Sequence, residues 1–247
     1  LYEAERHTAA VLQRALLPAG LPPPASARLD VRYLPAAGLR SGGDFYDAVE
    51  LSDGRLSLVV GDVVGHGVEA AAVMGQLRSA WRASALEGAD PATTTRRLSR
   101  FAERLEGASV ATVACAVLAG PEMTYTSAGH PPPLLRRPDG STEFLMDGRG
   151  PPLAVSDDAY RTGRIVLEPG SLVLLYPDGV IERHRDLERG MAELAELVAG
   201  GSDDPGDVLA RVASAVGPEP ADDCALLALR VPGPATSLRL AIPARPS

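Results

Sequence analysis

The sequence predicts an α+β domain in which two mostly antiparallel sheets pack face to face and helices cover their outer sides. Short strand-like runs recur in pairs around tight turns such as Ser52-Asp53-Gly54 and Pro138-Asp139-Gly140. Strands joined in this way pair antiparallel. Helical patterns lie between and after these runs instead of alternating with single strands, and this order favours an α+β fold over a doubly wound one.

The predicted elements follow one another from a first helix to a last core strand. The first helix, Leu1–Leu17, has apolar residues at helical spacing and ends before Pro18 and the cluster Pro22–Pro24. We then expect strand Arg28–Leu34, a hairpin of Phe45–Leu51 and Arg55–Val60, helices Val68–Leu86 and Asp90–Leu105, strands Val110–Leu118 and Met123–Ser127, a hairpin of Leu134–Arg137 and Thr142–Leu145, a hairpin of Ile165–Leu167 and Ser171–Tyr176, helices Leu187–Val198 and Pro205–Val216, and strand Ala225–Val231.

Composition limits the classes of function. The 247 residues carry a net charge of −8, and no stretch gathers the Lys and Arg that a nucleic-acid backbone requires, so we expect no nucleic-acid partner. Apolar runs such as Leu172–Tyr176 are too short to span a bilayer, and no signal peptide is visible, so we expect no membrane insertion. Cys115 and Cys224 lie in apolar strand-like runs, which indicates reduced core thiols and a cytoplasmic protein.

Four acidic positions differ from the other carboxylates because each lies beside a glycine or at the end of a strand-like run. They are Asp44 in Ser41-Gly42-Gly43-Asp44-Phe45-Tyr46-Asp47, Asp62 in Gly61-Asp62-Val63-Val64-Gly65-His66-Gly67, Asp178 in Tyr176-Pro177-Asp178-Gly179, and Asp222 or Asp223 just before the last strand. Strand ends hold carboxylates rigidly, and hard divalent cations prefer carboxylate and carbonyl oxygens. Two such cations about 3.5–4 Å apart can activate a water for in-line attack on phosphorus.

The alternative is that these residues only form turns, because Asp-Gly is a common turn dipeptide. We assign Asp53 and Asp139 to turns, and Asp178 fits either interpretation. Asp62 is harder to assign to a turn, because it follows the continuous apolar run Leu56–Val60 and opens a Gly-rich connection to a helix.

Two other kinds of site are not supported by the sequence. The Gly-rich segment after Asp62 lacks the Gly-Lys-Ser/Thr ending of a nucleotide-binding P-loop. His66 and His130 have no spacing typical of a zinc site.

Taken together and in order, five segments resemble the bacterial PP2C-like phosphatases of the SpoIIE/RsbU type. They are Gly42-Gly43-Asp44-Phe45-Tyr46-Asp47, Gly61-Asp62-Val63-Val64-Gly65-His66-Gly67-Val68-Glu69-Ala70-Ala71, Ala128-Gly129-His130-Pro131-Pro132-Pro133-Leu134-Leu135, Tyr176-Pro177-Asp178-Gly179-Val180 and Asp222-Asp223-Cys224-Ala225-Leu226-Leu227. The resemblance runs from about residue 10 to residue 231 and implies an α-β-β-α sandwich with a binuclear Mn²⁺ or Mg²⁺ centre between the sheets.

The resemblance also implies a role for each acidic position. Asp62 is expected to bridge the two cations, with the carbonyl of Val63 binding one of them. Asp178 and Asp222 are expected to hold the other cation, and Asp44 to bind directly or through water. Asp223 is the less favoured ligand of its pair, because the family's ligand is the first residue of that motif.

The sequence departs from the family pattern at two positions near these ligands. Pro177 and Ala225 stand where the family usually or often has Thr, and Pro177 lacks a backbone N–H just before an expected ligand. His66, four residues after Asp62, could be a proton donor or structural. We expect His130, which precedes three prolines, to be architectural, and the sequence identifies no catalytic side chain.

The leading hypothesis is a metal-dependent protein serine/threonine phosphatase whose substrate, by resemblance, is a phosphorylated STAS-type anti-sigma-factor antagonist. One alternative is a pseudophosphatase that binds the same partner without turnover. Another is a metal-dependent phosphodiesterase or nuclease, which the acidic charge disfavours.

The same resemblance predicts the organisation of the chain. Residues 1–18 are expected to be a linker helix from an upstream sensor domain, and its apolar stripe packs either in a homodimer or on the domain itself. Residues 19–231 form the phosphatase domain. Residues 232–247 begin with the linker Pro232-Gly233-Pro234, and Ser237–Ser247 is expected to lie outside the core as the possible start of a following domain. Because the chain starts with Leu inside a helical pattern, we expect it to be a piece of a longer protein.

Overall fold

Two sheets pack face to face between helical layers in the computed structural model of the protein. The structure describes residues 8, 11–21, 23–36, 43–105, 110–156, 159–182, 186–218 and 220–233. Within these ranges the predicted α+β sandwich is confirmed, with one five-stranded and one six-stranded sheet.

The five-stranded sheet has the order β1-β11-β10-β6-β7, and all its neighbouring strands are antiparallel. Its strands are β1 (Arg28–Leu34), β6 (Leu134–Arg136), β7 (Thr142–Phe144), β10 (Leu172–Leu175) and β11 (Cys224–Arg230). Nearly all residues of β10 and β11 are buried. This fits their central positions in the sheet, because both faces of these strands are covered.

The six-stranded sheet has the order β2-β3-β4-β5-β8, and β9 also pairs with β5. Its strands are β2 (Phe45–Glu50), β3 (Leu56–Val63), β4 (Ala111–Ala119), β5 (Glu122–Ala128), β8 (Arg149–Gly150) and β9 (Gly163–Val166). Only the short contact between β5 and β8 is parallel among the strand pairs of the described residues.

Helices cover the outer face of each sheet. They are α1 (helical over residues 8 and 11–16), α2 (Gly67–Leu86), α3 (Pro91–Ala102), α4 (Leu187–Ala199) and α5 (Pro205–Val216). The helices α2 and α3 pack on the six-stranded sheet, and α4 and α5 pack on the five-stranded sheet. Asp90 caps α3 as predicted, since its carboxylate accepts a hydrogen bond from the backbone N–H of Thr93.

Alternating side chains along the strands separate three apolar layers. On β2, Tyr46 and Ala48 face the layer between the sheets, whereas Phe45 and Val49 face the helices α2 and α3. This period of two places even-numbered residues of β2 and β3 between the sheets. The same alternation directs Asp44 and Asp62 toward the space between the two sheets.

The predicted hairpin of Ile165–Leu167 and Ser171–Tyr176 is wrong. Strand β9 pairs with β5 in one sheet, while β10 pairs with β6 and β11 in the other. The turn at Pro169-Gly170 therefore carries the chain from one sheet to the other. A turn dipeptide fixes a reversal of the chain but does not specify which strands then pair.

The described part of α1 lies on the domain itself. Leu16 packs against Gly75 of α2, so closely that a Cβ added to that glycine would lie 2.8 Å from Leu16 Cδ1. Gln13 is buried, whereas Val11 is 54% exposed. The first seven residues of the predicted linker helix and the whole of Ser237–Ser247 lie outside the described residues, so the predictions for both segments stay open.

The predictions for the two cysteines and for two turn aspartates are confirmed. Cys115 and Cys224 are buried, and neither takes part in a disulfide. The carboxylates of Asp53 and Asp139 accept hydrogen bonds from backbone N–H groups two residues on, as turn aspartates do. None of the helices in the described part of the chain is both long and apolar enough to cross a membrane.

Candidate metal centre

Asp62 and Val63 form the end of β3 at the rim of the space between the sheets. They lie opposite Thr112 and Ala111 of β4 in an antiparallel register. The strand is longer than the sequence predicted, because both residues continue the pairing instead of starting a loop. Asp62 is therefore held by regular backbone pairing, and the Gly-rich connection to α2 begins only after Val63.

Asp44 lies just before β2 and is buried beside Asp62. Its Oδ2 atom accepts a hydrogen bond of 2.8 Å from the backbone N–H of Ala225, which belongs to β11 of the other sheet. The two carboxyl groups are neighbours, since the negative charge of Asp62 raises the pKa of Asp44. Two carboxyl groups from separate strands thus meet where the two sheets approach each other.

Gly43 leaves room for oxygen ligands at this point. The backbone N–H of Val63 donates to the carbonyl of Gly43 at 3.2 Å, which brings the two chain segments together. A Cβ atom at Gly43 would lie 2.4 Å from the carbonyl oxygen of Val63 and 2.8 Å from Oδ1 of Asp62. A side chain there would fill the space in front of both oxygen atoms, and only glycine avoids this.

Asp178 and Asp222 approach the same region from the five-stranded sheet. Asp178 opens a 3₁₀ turn, Asp178–Val180, that starts three residues after the last residue of β10, and Asp222 lies two residues before β11. Both side chains are exposed. Pro177 is compatible with this turn, because it lies in extended conformation at the position before the turn and its carbonyl accepts from the N–H of Val180.

Burial and mutual repulsion raise the pKa values of Asp44 and Asp62. Burial raises the pKa of Asp62 to about 6, and the negative charges of Asp178 and Asp222 contribute to the rise. Burial also raises the pKa of Asp44 well above its usual value, with Asp62 as the largest charged contributor. These effects show that the carboxyl groups from both sheets act on one another electrostatically.

The environment of Asp223 differs from that of the exposed Asp222. It is buried, and its carboxylate accepts hydrogen bonds from the backbone N–H of Ala36 at 2.7 Å and from Nε2 of Gln13 at 2.6 Å. Gln13 also contacts the hydroxyl group of Tyr33. Both carboxylate oxygens of Asp223 are thus used in hydrogen bonds within the protein.

The donors in this cleft suit a hard divalent cation. Carboxylate oxygens and a backbone carbonyl are the ligands that Mg²⁺ and Mn²⁺ prefer. Within the described ranges, no three acidic, histidine or cysteine side chains lie close enough together to form a ligand set by themselves. The assembled part is Asp44, Asp62 and the carbonyl of Val63, and the negative charges of Asp178 and Asp222 raise the pKa of Asp62 from the opposite sheet.

The two histidines near the centre have different environments. His66 is exposed and precedes α2 without making a side-chain cap. His130 is 4% exposed, and its Nδ1 atom lies 2.8 Å from the hydroxyl oxygen of Thr112. His130 is thus built into the structure, as the architectural interpretation expected.

Some residues around the centre were not identified from the sequence. Glu182 lies near Asp178, whose negative charge is the main cause of the raised pKa of Glu182. Gln13, Tyr33 and Thr112 contact the residues that surround the acidic cluster. Spacing gives no signal for such residues, because they come from distant strands and a helix that only the fold brings together.

The sandwich of two sheets with an acidic cleft at their rim defines a PP2C-type phosphatase domain. Residues 52–232 match the family described as Stage II sporulation protein E (SpoIIE), and the chain belongs to that family. The resemblance stated from the five motifs is therefore confirmed.

The similar proteins share this domain but are longer than the part matched. The chain is 28% identical over 199 residues to the phosphoserine phosphatase RsbU of Bacillus subtilis, covering 79% of this chain and 58% of that protein. It is 26% identical over 148 residues to the phosphoserine phosphatase RsbP of the same organism, covering 57% of this chain and 36% of that protein.

Solved structures give the same fold. One contains the RsbU and RsbW domains of a Mycobacterium tuberculosis protein, at 39% identity and a TM-score of 0.74, covering 84% of this chain and 62% of that chain. The SiaA-PP2C domain of Pseudomonas aeruginosa is 22% identical with a TM-score of 0.74, covering 92% of this chain and 96% of that chain. The second likeness bears on the fold alone.

Proposed function

We propose that this domain hydrolyses phosphoserine or phosphothreonine in a phosphoprotein and that it requires two divalent cations, Mn²⁺ or Mg²⁺. The observation that carries the proposal is the convergence of Asp44, Asp62 and the Val63 carbonyl in front of Gly43. Oxygen donors that face a cleft and are kept open by a glycine favour a cation site over a purely structural cluster.

The acidic residues that would hold the cations come from both sheets. Asp62 would bridge the two cations, with the Val63 carbonyl on one of them, and Asp44 would bind directly or through water. Asp178 and Asp222 would hold the other cation from the opposite sheet. Bound cations of this kind supply a water nucleophile near neutral pH and neutralise charge on the phosphoryl oxygens.

The protein's own residues then have to position the site and do not need to provide a nucleophile. The backbone N–H of Ala225 fixes the orientation of the Asp44 carboxylate, and the register of β3 and β4 fixes Asp62. The exposed His66 stays a candidate proton donor to the leaving group, because it lies in the loop that follows Asp62.

The proposed substrate is a phosphorylated STAS-type antagonist of an anti-sigma factor. Two similar proteins bear the name phosphoserine phosphatase, and one similar structure carries an RsbU domain together with an RsbW domain. We propose that the protein acts in the cytoplasm, receives its signal from an upstream sensor domain, and forms a homodimer through α1.

A pseudophosphatase that only binds the same partner is the second candidate. The complete set of Asp44, Asp62, Asp178 and Asp222 argues against it, since loss of turnover would leave such a set without a role. The acidic net charge of −8 disfavours a phosphodiesterase or nuclease that acts on nucleic acid.

The decisive experiment measures phosphate release by the purified protein from a generic phosphoester and from a phosphorylated STAS protein, with chelator, Mg²⁺ or Mn²⁺. We expect release that depends on the added cation and a strong preference for the phosphoprotein. Tight binding of the phosphoprotein without phosphate release would instead indicate the pseudophosphatase. Faster cleavage of a nucleic acid than of either phosphomonoester would contradict both.

A further inference from the structure

His130 lies in the connection between β5 of the six-stranded sheet and β6 of the five-stranded sheet. It follows β5 through Gly129, which has a φ of 65°. A Cβ at Gly129 would lie 2.6–2.9 Å from atoms of Pro152, so the left-handed turn and the close packing both require glycine. Gly129 also bridges to Val113 of β4, and this pairing directs the chain toward the other sheet.

On one side His130 contacts the strand that supports Asp62. Its Nδ1 atom lies 2.8 Å from the hydroxyl oxygen of Thr112. Thr112 is directly opposite Asp62 in the β3–β4 register, and side chains directly opposite each other project from the same face of a sheet. A shift of Thr112 therefore shifts the backbone that holds Asp62.

On its other side His130 faces the strand that leads to Asp178. The backbone of Tyr176 lies close to the imidazole, but the buried Nε2 atom makes no hydrogen bond within the described residues. Tyr176 directly follows β10 and lies two residues before Asp178. Burial lowers the pKa of His130 to about 3, so the ring is neutral and its contacts do not depend on a bound proton.

We propose that His130 is a positioning residue that fixes the distance between the Asp62 strand and the Asp178 turn and thereby sets the affinity of the centre for divalent cations. This inference rests on the proposed function. The two carboxylates belong to different sheets, so pairing within one sheet cannot fix their separation. The Thr112–His130–Tyr176 chain of contacts crosses the gap between the sheets where that separation matters. Residues that orient metal ligands in this indirect way typically change metal affinity by about 10–100-fold when they are replaced.

The test measures Mn²⁺ binding to the chelator-treated protein by calorimetry, together with the melting temperature. We expect Thr112→Val, which removes the hydroxyl group but keeps the shape, to weaken Mn²⁺ binding about tenfold at a nearly unchanged melting temperature. His130→Leu should weaken it further because both contacts are lost. His130→Asn and His130→Gln each keep an amide group near one of the two contacts. Their Mn²⁺ affinities should therefore lie between those of His130→Leu and the parent.

Thr124→Val is the matched control, because the Thr124 hydroxyl donates to the carbonyl of Val117 in the same sheet, away from the acidic cluster. This variant should keep the parent's Mn²⁺ affinity. Mn²⁺ affinities of Thr112→Val and the His130 variants within twofold of the parent would overturn the inference while leaving the proposed function intact. If His130→Leu does not fold, Thr112→Val decides alone. A parent protein that binds no Mn²⁺ would contradict the proposed function itself, and the inference with it.

Discussion

Asp44 of the six-stranded sheet accepts a 2.8 Å hydrogen bond from the backbone N–H of Ala225 in the five-stranded sheet. The bond joins the two halves of the sandwich at the acidic cleft. Ala225 contributes only its backbone to this contact, so the departure from the Thr that the family often has here does not remove it. The candidate ligand set is thus compatible with Ala225 and Pro177, the two departures from the family pattern, since Pro177 also fits its turn.

The first prediction concerns the two aspartates that would hold the cations most directly. Asp62→Asn and Asp178→Asn should each lower turnover by at least about a hundredfold, because an amide lacks the negative charge that holds a hard cation. Phosphate release at saturating Mn²⁺ measures the effect, with circular dichroism to confirm folding. Asp139→Asn is the matched control in an exposed turn. Near-parent turnover of either folded site variant would show that the site is assigned wrongly.

The second prediction is a pH dependence of the metal-free protein. The pKa of Asp62 in the folded protein is about 6, above the ordinary value of 3.8 for an aspartate, and the pKa of Asp44 is also raised. The folded state therefore binds more protons than the unfolded chain between these values, so the free energy of unfolding falls as the pH rises from about 4 through about 6. Stability from these groups is complete below pH 4 and is lost above the folded pKa.

Asp62→Asn should remove much of this pH dependence of the free energy of unfolding. At pH 7.5 in the presence of chelator, it should raise the free energy of unfolding by about 1–2 kcal/mol. The amide resembles the protonated carboxyl group and can donate to Asp44. Urea unfolding between pH 4.5 and 8 measures both quantities. Curves for the parent and the variant that stay parallel across this range would show that Asp62 does not carry the proposed shift.

The third prediction tests the space in front of the ligands. Gly43→Ala should lower Mn²⁺ affinity and turnover by about tenfold or more, because its Cβ would lie 2.4 Å from the Val63 carbonyl oxygen. Gly20→Ala is the control, since nothing lies within 4 Å of a Cβ at that position. Calorimetric titration of both variants with Mn²⁺ gives the comparison. Equal affinities would mean that this carbonyl is not a ligand.

The sequence was sufficient to predict the fold class, most element bounds and the acidic positions, for a clear physical reason. Alternating and helical periodicities mark individual elements, and glycines beside strand-end aspartates mark rigid carboxylates. Thus β1 and α5 agree with their predicted bounds to the residue. The strand that holds Asp62 and Val63 extends further than the apolar run indicates.

Other features depend on contacts between distant parts of the chain. Gln13 and Asp223 are 210 residues apart, and no spacing rule connects them. The sequence could not show that β9 and β10 belong to different sheets, because both are short apolar strands around a tight turn. The contact between Thr112 and His130 was equally invisible, since a half-buried Thr in a strand has no distinctive pattern.

The fourth prediction concerns a buried ion-pair cluster that ties α2 to β2. Asp47 is fully buried, and its two carboxylate oxygens accept from Arg78 at 2.8 Å and Arg82 at 2.7 Å. Removing both arginines should cost about 3–5 kcal/mol of unfolding free energy, because a buried carboxylate is left without a positively charged partner. Urea unfolding of Arg78→Ala, Arg82→Ala and the double variant measures this.

Either single variant should cost less than the double variant, since one arginine still pairs with Asp47. Arg164→Ala is the control, because Arg164 pairs with Glu122 on the surface and should cost less than about 1 kcal/mol. A double variant as stable as this control would contradict a role for the cluster in holding α2.

The last prediction separates two roles of α1. Gln13 faces the domain and donates to Asp223, whereas Val11 is exposed and available to a second copy of the chain. We expect the parent protein to be a dimer at high concentration, and both Val11→Asp and a fragment starting at about residue 19 to be monomers by sedimentation. Ala19→Asp, an exposed position beyond the helix, is the charge-matched control and should stay dimeric.

Gln13→Ala should keep the dimer but change turnover, because Asp223 directly follows the expected ligand Asp222 and loses a 2.6 Å hydrogen bond. A small displacement of Asp223 moves the backbone of its neighbour, and α1 could transmit an upstream signal to the centre in this way. Sedimentation and phosphate release on the same samples distinguish the two effects. If the parent and the fragment from residue 19 are both monomers with equal turnover, α1 is neither the dimer contact nor a regulator of the site.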